Sequence, residues 1–276
     1  TDATTAGRAD RVLVRNAAAG ATIDLGAGDD EVTVLAGTAL TLAAGAGVDT
    51  VSFDVSGSTA AVTGAVLGGS GGSGQVSGIG PVIDAAFLGF DAARLRFGSG
   101  SDGLLIDDAL DAVALTADMG SGDDQVTISR IGSATQIVGG SGQDQVRLDI
   151  PAAPESPLHA GLIDDLGLSG VETLEVDNHA HDGAVDWQLI DGRLLGNGAP
   201  IAYADAAGQL LLRAGSAAGD LLTVQTTSNP VEATINGNRI DVLAEPVVLL
   251  RDDVATELRG LRSVVDFDDL IAGTAS

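Results

Sequence analysis

One pattern recurs along this chain at intervals of about twenty residues: glycine, any residue, glycine, any residue, aspartate, then alternating apolar positions. It appears as Gly26, Gly28 and Asp30 before Val32 and Val34, and as Gly45, Gly47 and Asp49 before Val51 and Phe53. It returns at Gly98, Gly100 and Asp102, and at Gly120, Gly122 and Asp124 before Val126 and Ile128. The fullest copy has Gly139, Gly140, Gly142 and Asp144 before Val146 and Leu148, and looser copies surround Asp10 and Asp220. Asp10, Asp30 and Asp49 are 20 and 19 residues apart; Asp102, Asp124 and Asp144 are 22 and 20 apart. A fixed period of this size predicts a stacked, one-dimensional fold in which each repeat buries its apolar face against its neighbours.

Within one period the glycines permit a turn at positive φ, and the alternating apolar residues after the aspartate have the period of a half-buried strand. A second apolar stretch lies between successive motifs, at 21–25, 39–42, 113–116 and 135–138. Twenty residues at about 3.3 Å each are too few for a crossover helix with its strands, but enough to wrap once around a narrow parallel coil. No segment carries a helical stripe. The expected fold is all-β, a parallel β-solenoid of about 20 residues per coil, with longer, irregular coils in the C-terminal half. Four regions follow: 1–56 with the first coils, 57–90 as a Gly/Ser-rich insertion or protruding loop, 91–150 with the strongest motifs, and 151–276 with looser repeats. Pro151, Pro154 and Pro157 mark the last break. Strands are expected at 168–176, 209–213 and 258–265.

Composition agrees with a thin core. Aromatics make up 3% of the 276 residues, and the apolar fraction comes from Ala, Val, Leu and Ile beside 39 glycines. There is no cysteine and no lysine, which removes disulfides, thiolate metal sites, a phosphate-loop lysine and Schiff-base chemistry. A formal charge of −26 argues against nucleic acid as a partner and for divalent cations. No stretch approaches the roughly eighteen apolar residues of a membrane span. The opening Thr1, in place of a methionine, is expected of a mature form or an excised segment.

The stretch from Gly139 to Leu148 resembles the G-G-x-G-x-D-x-φ-x nonapeptide of RTX-type calcium-binding exoproteins, and the shorter copies resemble it without the first glycine. Leu168 to Val176 is similar to a strand of bacterial surface-layer proteins, and the run from Val176 through Tyr203 to Leu222 is similar to the repeats of giant bacterial exoproteins. The resemblance implies a secreted, bacterial cell-surface location. In the family's β-roll two calcium turns occur per coil, whereas here there is one, so the resemblance implies at most one calcium-lined edge.

Calcium takes six to eight oxygen ligands, from carboxylates and backbone carbonyls. Glycine turns expose carbonyls, and aspartates one period apart align in columns: Asp10, Asp30 and Asp49 in one, Asp102, Asp124 and Asp144 in the other, with Asp220 as a further candidate ligand. Stacked carboxylates repel without cations, so folding is expected to be linked to Ca2+ binding. The competing reading is that these aspartates cap turns through bonds to backbone. His179 and His181 between Asp177 and Asp182 are read as a solvated loop more readily than as a transition-metal site. Trp187 and Tyr203 read as packing residues before sugar-stacking ones. Acid pairs such as Asp107 with Asp108, Asp164 with Asp165 and Asp252 with Asp253 show no catalytic spacing.

The expected role is a non-enzymatic, extracellular structural one: a surface-layer, fibre or adhesin-stalk segment. It is expected to self-associate head-to-tail or in a lattice, with a cell-surface glycan as a further partner. The alternatives are a β-helical enzyme acting on polysaccharide, disfavoured by 13 scattered arginines and few aromatics, and a ligand-binding adhesin tip with 57–90 as the binding element.

Overall fold

The computed structural model describes residues 7–149 except 70, 81–82, 108–111 and 132, and residues 166–178. Beyond those it describes 185–190, 193–196, 201–202, 207–213, 221–224, 231–235, 238–242, 248–251 and 265–266. Among these residues every regular element is a strand, and most strand pairings are parallel. The chain divides into two compact units, Thr1–Val146 with Asp164–Val171, and Arg147–Ile163 with Glu172–Ser276.

The first unit opens with β1 (Arg11–Val14), β2 (Thr22–Ala27), β3 (Glu31–Val34), β4 (Gly37–Ala46) and β5 (Thr50–Asp54). It continues through β6 (Thr63–Gly68), β7 (Gly74–Ser77), β8 (Ile83–Leu88), β9 (Ala92–Arg96) and β10 (Gly103–Asp107). Then follow β11 (Ala114–Asp118), β12 (Gln125–Ile128), β13 (Thr135–Val138), β14 (Gln145–Asp149) and β15 (Leu166–Ser169).

These strands show why the alternating pattern folds as it does. In β3, Val32 and Val34 are wholly buried while Glu31 and Thr33 on the other face are half-exposed. The first sheet runs β1-β3-β5-β9-β11-β13-β15, parallel at every step. Its register stacks like on like: Val14, Val34, Phe53, Leu95, Ala117 and Ile137 form one inward row. Parallel strands buried on one face need no aromatic bulk when each apolar side chain packs on its own copy one strand away.

The second sheet of this unit starts with β2-β4-β8, all parallel. There the regular order breaks. β7 lies antiparallel between β8 and β6, and β6 then pairs in parallel with β10, which pairs with β12. Residues 57–90 therefore do not protrude as a loop; they supply three strands built into this sheet. The first sheet meanwhile passes from β5 straight to β9. At this level one sheet adds three strands where the other adds one, a difference in width of about 10 Å. Larger side chains fill the space: the rings of Phe53 on the first sheet and Phe87 on the second lie 6.1 Å apart, and Phe90 stands edge-on to Phe87 at 6.1 Å. All three are at most 2% exposed.

The second unit holds β16 (Val171–Asp177), β17 (Asp186–Ile190), β18 (Arg193–Leu195), β19 (Ile201–Ala202) and β20 (Ala207–Arg213). It continues with β21 (Leu221–Val224), β22 (Val231–Ile235), β23 (Asn238–Val242), β24 (Val248–Arg251) and β25 (Val265–Asp266). Looser parallel coils are expected here, but pairing is mixed. β17 pairs in parallel with β21, and β20 with β22, whereas β17-β18, β18-β19, β21-β24, β22-β23 and β23-β25 are antiparallel. The strand expected at 168–176 is broken at Gly170, which has φ of 60°, and the one expected at 209–213 falls within β20. Of 258–265 only Val265 lies among the described residues.

Candidate functional site

Each motif aspartate sits immediately before a strand. Asp10, Asp30 and Asp49 precede β1, β3 and β5 of the first sheet; Asp102, Asp124 and Asp144 precede β10, β12 and β14 of the second. Asp30 and Asp49 occupy turns that carry the chain from the second sheet to the first, and Asp102, Asp124 and Asp144 occupy turns in the opposite sense. One motif per period is as expected, but aspartates line both kinds of turn rather than a single edge.

The aspartates of each group are linked directly. The Asp10 amide donates to Asp30 Oδ1 at 2.7 Å, and the Asp30 amide to Asp49 Oδ1 at 2.8 Å. The Asp102 amide donates to Asp124 Oδ1 at 2.7 Å, and the Asp124 amide to Asp144 Oδ1 at 3.0 Å. The backbone answers in the other direction: the amides of Glu31, Thr50, Gln125 and Gln145 donate to the carbonyls of Asp10, Asp30, Asp102 and Asp124, all at 2.9 Å. Each carboxylate thus satisfies an amide that the turn leaves outside the strand ladder. To that extent the capping reading holds, with the bond made to the neighbouring repeat.

Two residues without the motif complete these files. Asp91 Oδ2 accepts the Asp49 amide at 2.7 Å, which makes Asp91 a fourth member of the first file. The Val62 amide donates to Asp102 Oδ1 at 2.7 Å, so the second file begins on an apolar residue. Asp91 keeps only the second glycine of the frame, Gly89 with φ of 78°, because Phe87 stands where the first would be; its signal is that glycine and an acid directly before an alternating stretch. The exposed Asp29 and Asp123 staple the same turns from outside, accepting the amides of Val48 and Gln143 at 2.9 Å.

The glycines are required by close approach. A Cβ on Gly45, whose φ is 120°, would lie 1.5 Å from the Gly26 carbonyl oxygen, and one on Gly142 would lie 1.8 Å from that of Gly122. Successive turns therefore stack backbone on backbone.

The second carboxylate oxygens carry the chemistry. Asp30, Asp49, Asp102, Asp124 and Asp144 are at most 3% exposed. In Asp30, Asp49, Asp102 and Asp124 the buried Oδ2 has no hydrogen-bond partner. A buried anionic oxygen without a donor is costly, and it is relieved by protonation or by a cation. Burial pushes the Asp124 carboxyl up to about 6; the Asp102 amide opposes this, and the charges of Asp144, Asp102 and Asp123 add to it. Burial also raises Asp49, opposed by the Asp30 amide and reinforced by the Asp30, Asp91 and Asp29 carboxylates. Asp102 is raised by burial against the amides of Val62 and Gly98.

The donor set fits a hard cation in one respect and lacks a feature in another. Free buried carboxylate oxygens recur along each file. Among the described residues, however, no three His, Cys, Asp or Glu side chains converge as a metal-binding group. A cation held here would draw one carboxylate from each turn and complete its shell with carbonyls and water.

Other candidates fall elsewhere. Asp220, His179, His181, Asp182 and Tyr203 lie outside the described residues, as do Asp108 and the pairs at 164–165 and 252–253. Asp177 is buried and accepts from Arg147 at 2.5 Å, and Arg213 Nε lies 2.9 Å from buried Glu175, so these acids serve ion pairs within the second unit. Trp187 is wholly buried, a packing residue rather than a sugar platform. No protein-family model, no curated protein and no solved structure matches this chain.

Proposed function

We propose that the chain is an extracellular structural repeat protein of RTX-like type, a fibre, stalk or surface-layer segment built as a parallel β-solenoid and stabilised by calcium along its aspartate files. The observation that carries this reading is the free, buried Oδ2 of Asp30, Asp49, Asp102 and Asp124 in files tied amide-to-carboxylate from repeat to repeat. Alternation of β1 to β5 between two sheets, in register and in parallel, supports a coil with one strand of each sheet per repeat. Asp30 and Asp49 would hold calcium on one edge, and Asp102, Asp124 and Asp144 on the other. Calcium there supplies the positive charge that the buried carboxylates lack. The protein's own residues do the rest: the glycines bring turns into contact, and each Oδ1 fixes the carboxylate by binding a neighbouring amide. Nothing in this arrangement activates a water or a nucleophile, which favours a scaffold over an enzyme.

Terbium or calcium titration of metal-free protein, followed by calorimetric melting, tests the proposal. Binding that raises the melting point by several degrees is expected, since ligand at about 100-fold its Kd adds about 2.7 kcal/mol. A melt that chelator and calcium leave equal would remove calcium from the reading. Sedimentation across protein concentrations tests self-association.

A further inference from the structure

The outward face of the second sheet changes character at the inserted strands. On its regular strands that face is polar: Thr22 and Asp24 on β2, Gln125 and Thr127 on β12. On β8, β6 and β10 apolar residues join it at Ala86, Leu88, Ala65, Leu67 and Leu105, with polar Gln75 and Ser77 of β7 between them. Leu88 is 57% and Leu105 39% exposed, two of the four large apolar residues exposed among those described. Register draws smaller apolar residues around them: Ala43 pairs with Leu88, and Ala65 with Leu105. Leu67 and Ala86 flank Gln75 on β7.

Charge on this face is one-sided. Asp24, Asp84 and Asp107 are exposed around the apolar centre. The strands β2, β4, β8, β7, β6, β10 and β12 contain no arginine, and the chain has no lysine. The outward arginines of the first sheet, Arg11, Arg94 and Arg96, lie on its own strands β1 and β9. Regular repeats spend about twenty residues per turn, whereas 42 separate Asp49 from Asp91. Those extra residues bring Leu67, Ala86 and Leu88 to this face, beside Leu105 of the regular strand β10.

We infer that this apolar, acid-rimmed face of β8, β7, β6 and β10 is a docking site for a protein segment bearing apolar and basic side chains. Apolar contact at Leu88 and Leu105 supplies the attraction, and the rim selects the charge. Anionic ligands are repelled by the rim. Two copies meeting through this same face are disfavoured as well, because exposed Asp24, Asp84 and Asp107 would meet their own copies.

The test is fluorescence anisotropy of the full chain with a short synthetic peptide alternating leucine and lysine, against a leucine–glutamate version of equal length. The lysine peptide is expected to bind and the glutamate peptide not to. The double variant Leu88→Ser, Leu105→Ser is expected to weaken binding at least about tenfold, and Asp84→Asn with Asp107→Asn several-fold. Arg94→Ala, on the other sheet, is the control and should leave binding unchanged. Unchanged melting curves establish that the variants are folded. Equal binding by the leucine variant and the parent would mean diffuse attraction to a polyanion and overturn the proposal. So would equal binding of both peptides, no binding of either, or sedimentation showing that the patch closes on a second copy.

Discussion

Replacing Asp124 by asparagine separates the two roles of the aspartate files. Asparagine keeps an oxygen for the Asp102 amide, which donates to Asp124 Oδ1 at 2.7 Å, and removes the charge on the buried Oδ2. In metal-free protein the carboxyl is pushed from 3.8 up to about 6. At about 1.4 kcal/mol per pH unit, ionising it in the fold withholds on the order of 3 kcal/mol. Against that gain, the new amide NH2 sits where Oδ2 has no partner, at a cost of about 1–3 kcal/mol. Without metal near neutral pH, Asp124→Asn is therefore expected to match the parent or exceed it by up to about 2 kcal/mol, a rise of up to about 8 °C. At about pH 4 the parent carboxyl is protonated and the advantage vanishes. On the proposed calcium reading the order is expected to invert in calcium, because the variant lacks both the charge and the free Oδ2 that would meet the ion. Calorimetry in chelator and in calcium, at both pH values, reads all four conditions. Equal destabilisation in every condition would refute the reasoning and leave Asp124 as a turn staple alone.

Other outcomes follow from the same geometry. Raised folded-state values for Asp49, Asp102 and Asp124 mean that the metal-free fold binds protons more tightly than the unfolded chain. The stability these groups contribute is then complete below about pH 4 and declines as pH rises, for Asp124 through about 6, so melting points in chelator should fall over that window. Gly45→Ala places a Cβ 1.5 Å from the Gly26 oxygen at φ 120° and is expected to cost at least about 3 kcal/mol by denaturant titration. Gly57→Ala, with nothing within 4 Å, should stay within about 0.5 kcal/mol. Phe87→Ala opens the aromatic cluster beneath the inserted strands and is expected to lower stability by about 3–5 kcal/mol.

The repeating aspartates are legible in sequence because a parallel register fixes them: residues one period apart must stack if their strands pair. The change of turn is legible too, but only by counting. From Asp49 to Asp102 is 53 residues; 42 reach Asp91 on the same file, and the remaining 11 are half a period. Asp91 escapes a reading by the full motif because Phe87 replaces the first glycine and only Gly89 remains. The three inserted strands were hidden by the glycines of 68–74, which read as flexibility, although two of them, Gly68 and Gly74, pair across β6 and β7. In the second unit the hairpins had their own signals. Asp191 and Gly192 separate β17 from β18, and Asn236 and Gly237 separate β22 from β23; such dipeptides are the strongest local mark of a two-residue hairpin loop.

The pairing of β5 with β9 has a consequence for how such chains change length. Thr50 to Asp54 match Ala92 to Arg96 residue for residue, as if nothing had intervened, although a whole meander was spent on the opposite side. An addition is therefore invisible to one half of the molecule provided the polypeptide re-enters in phase. A detour that returns in step leaves this register intact, while a slip of one residue turns every buried valine outward. New parts that enter in whole steps would leave the pairing on the opposite sheet unaltered.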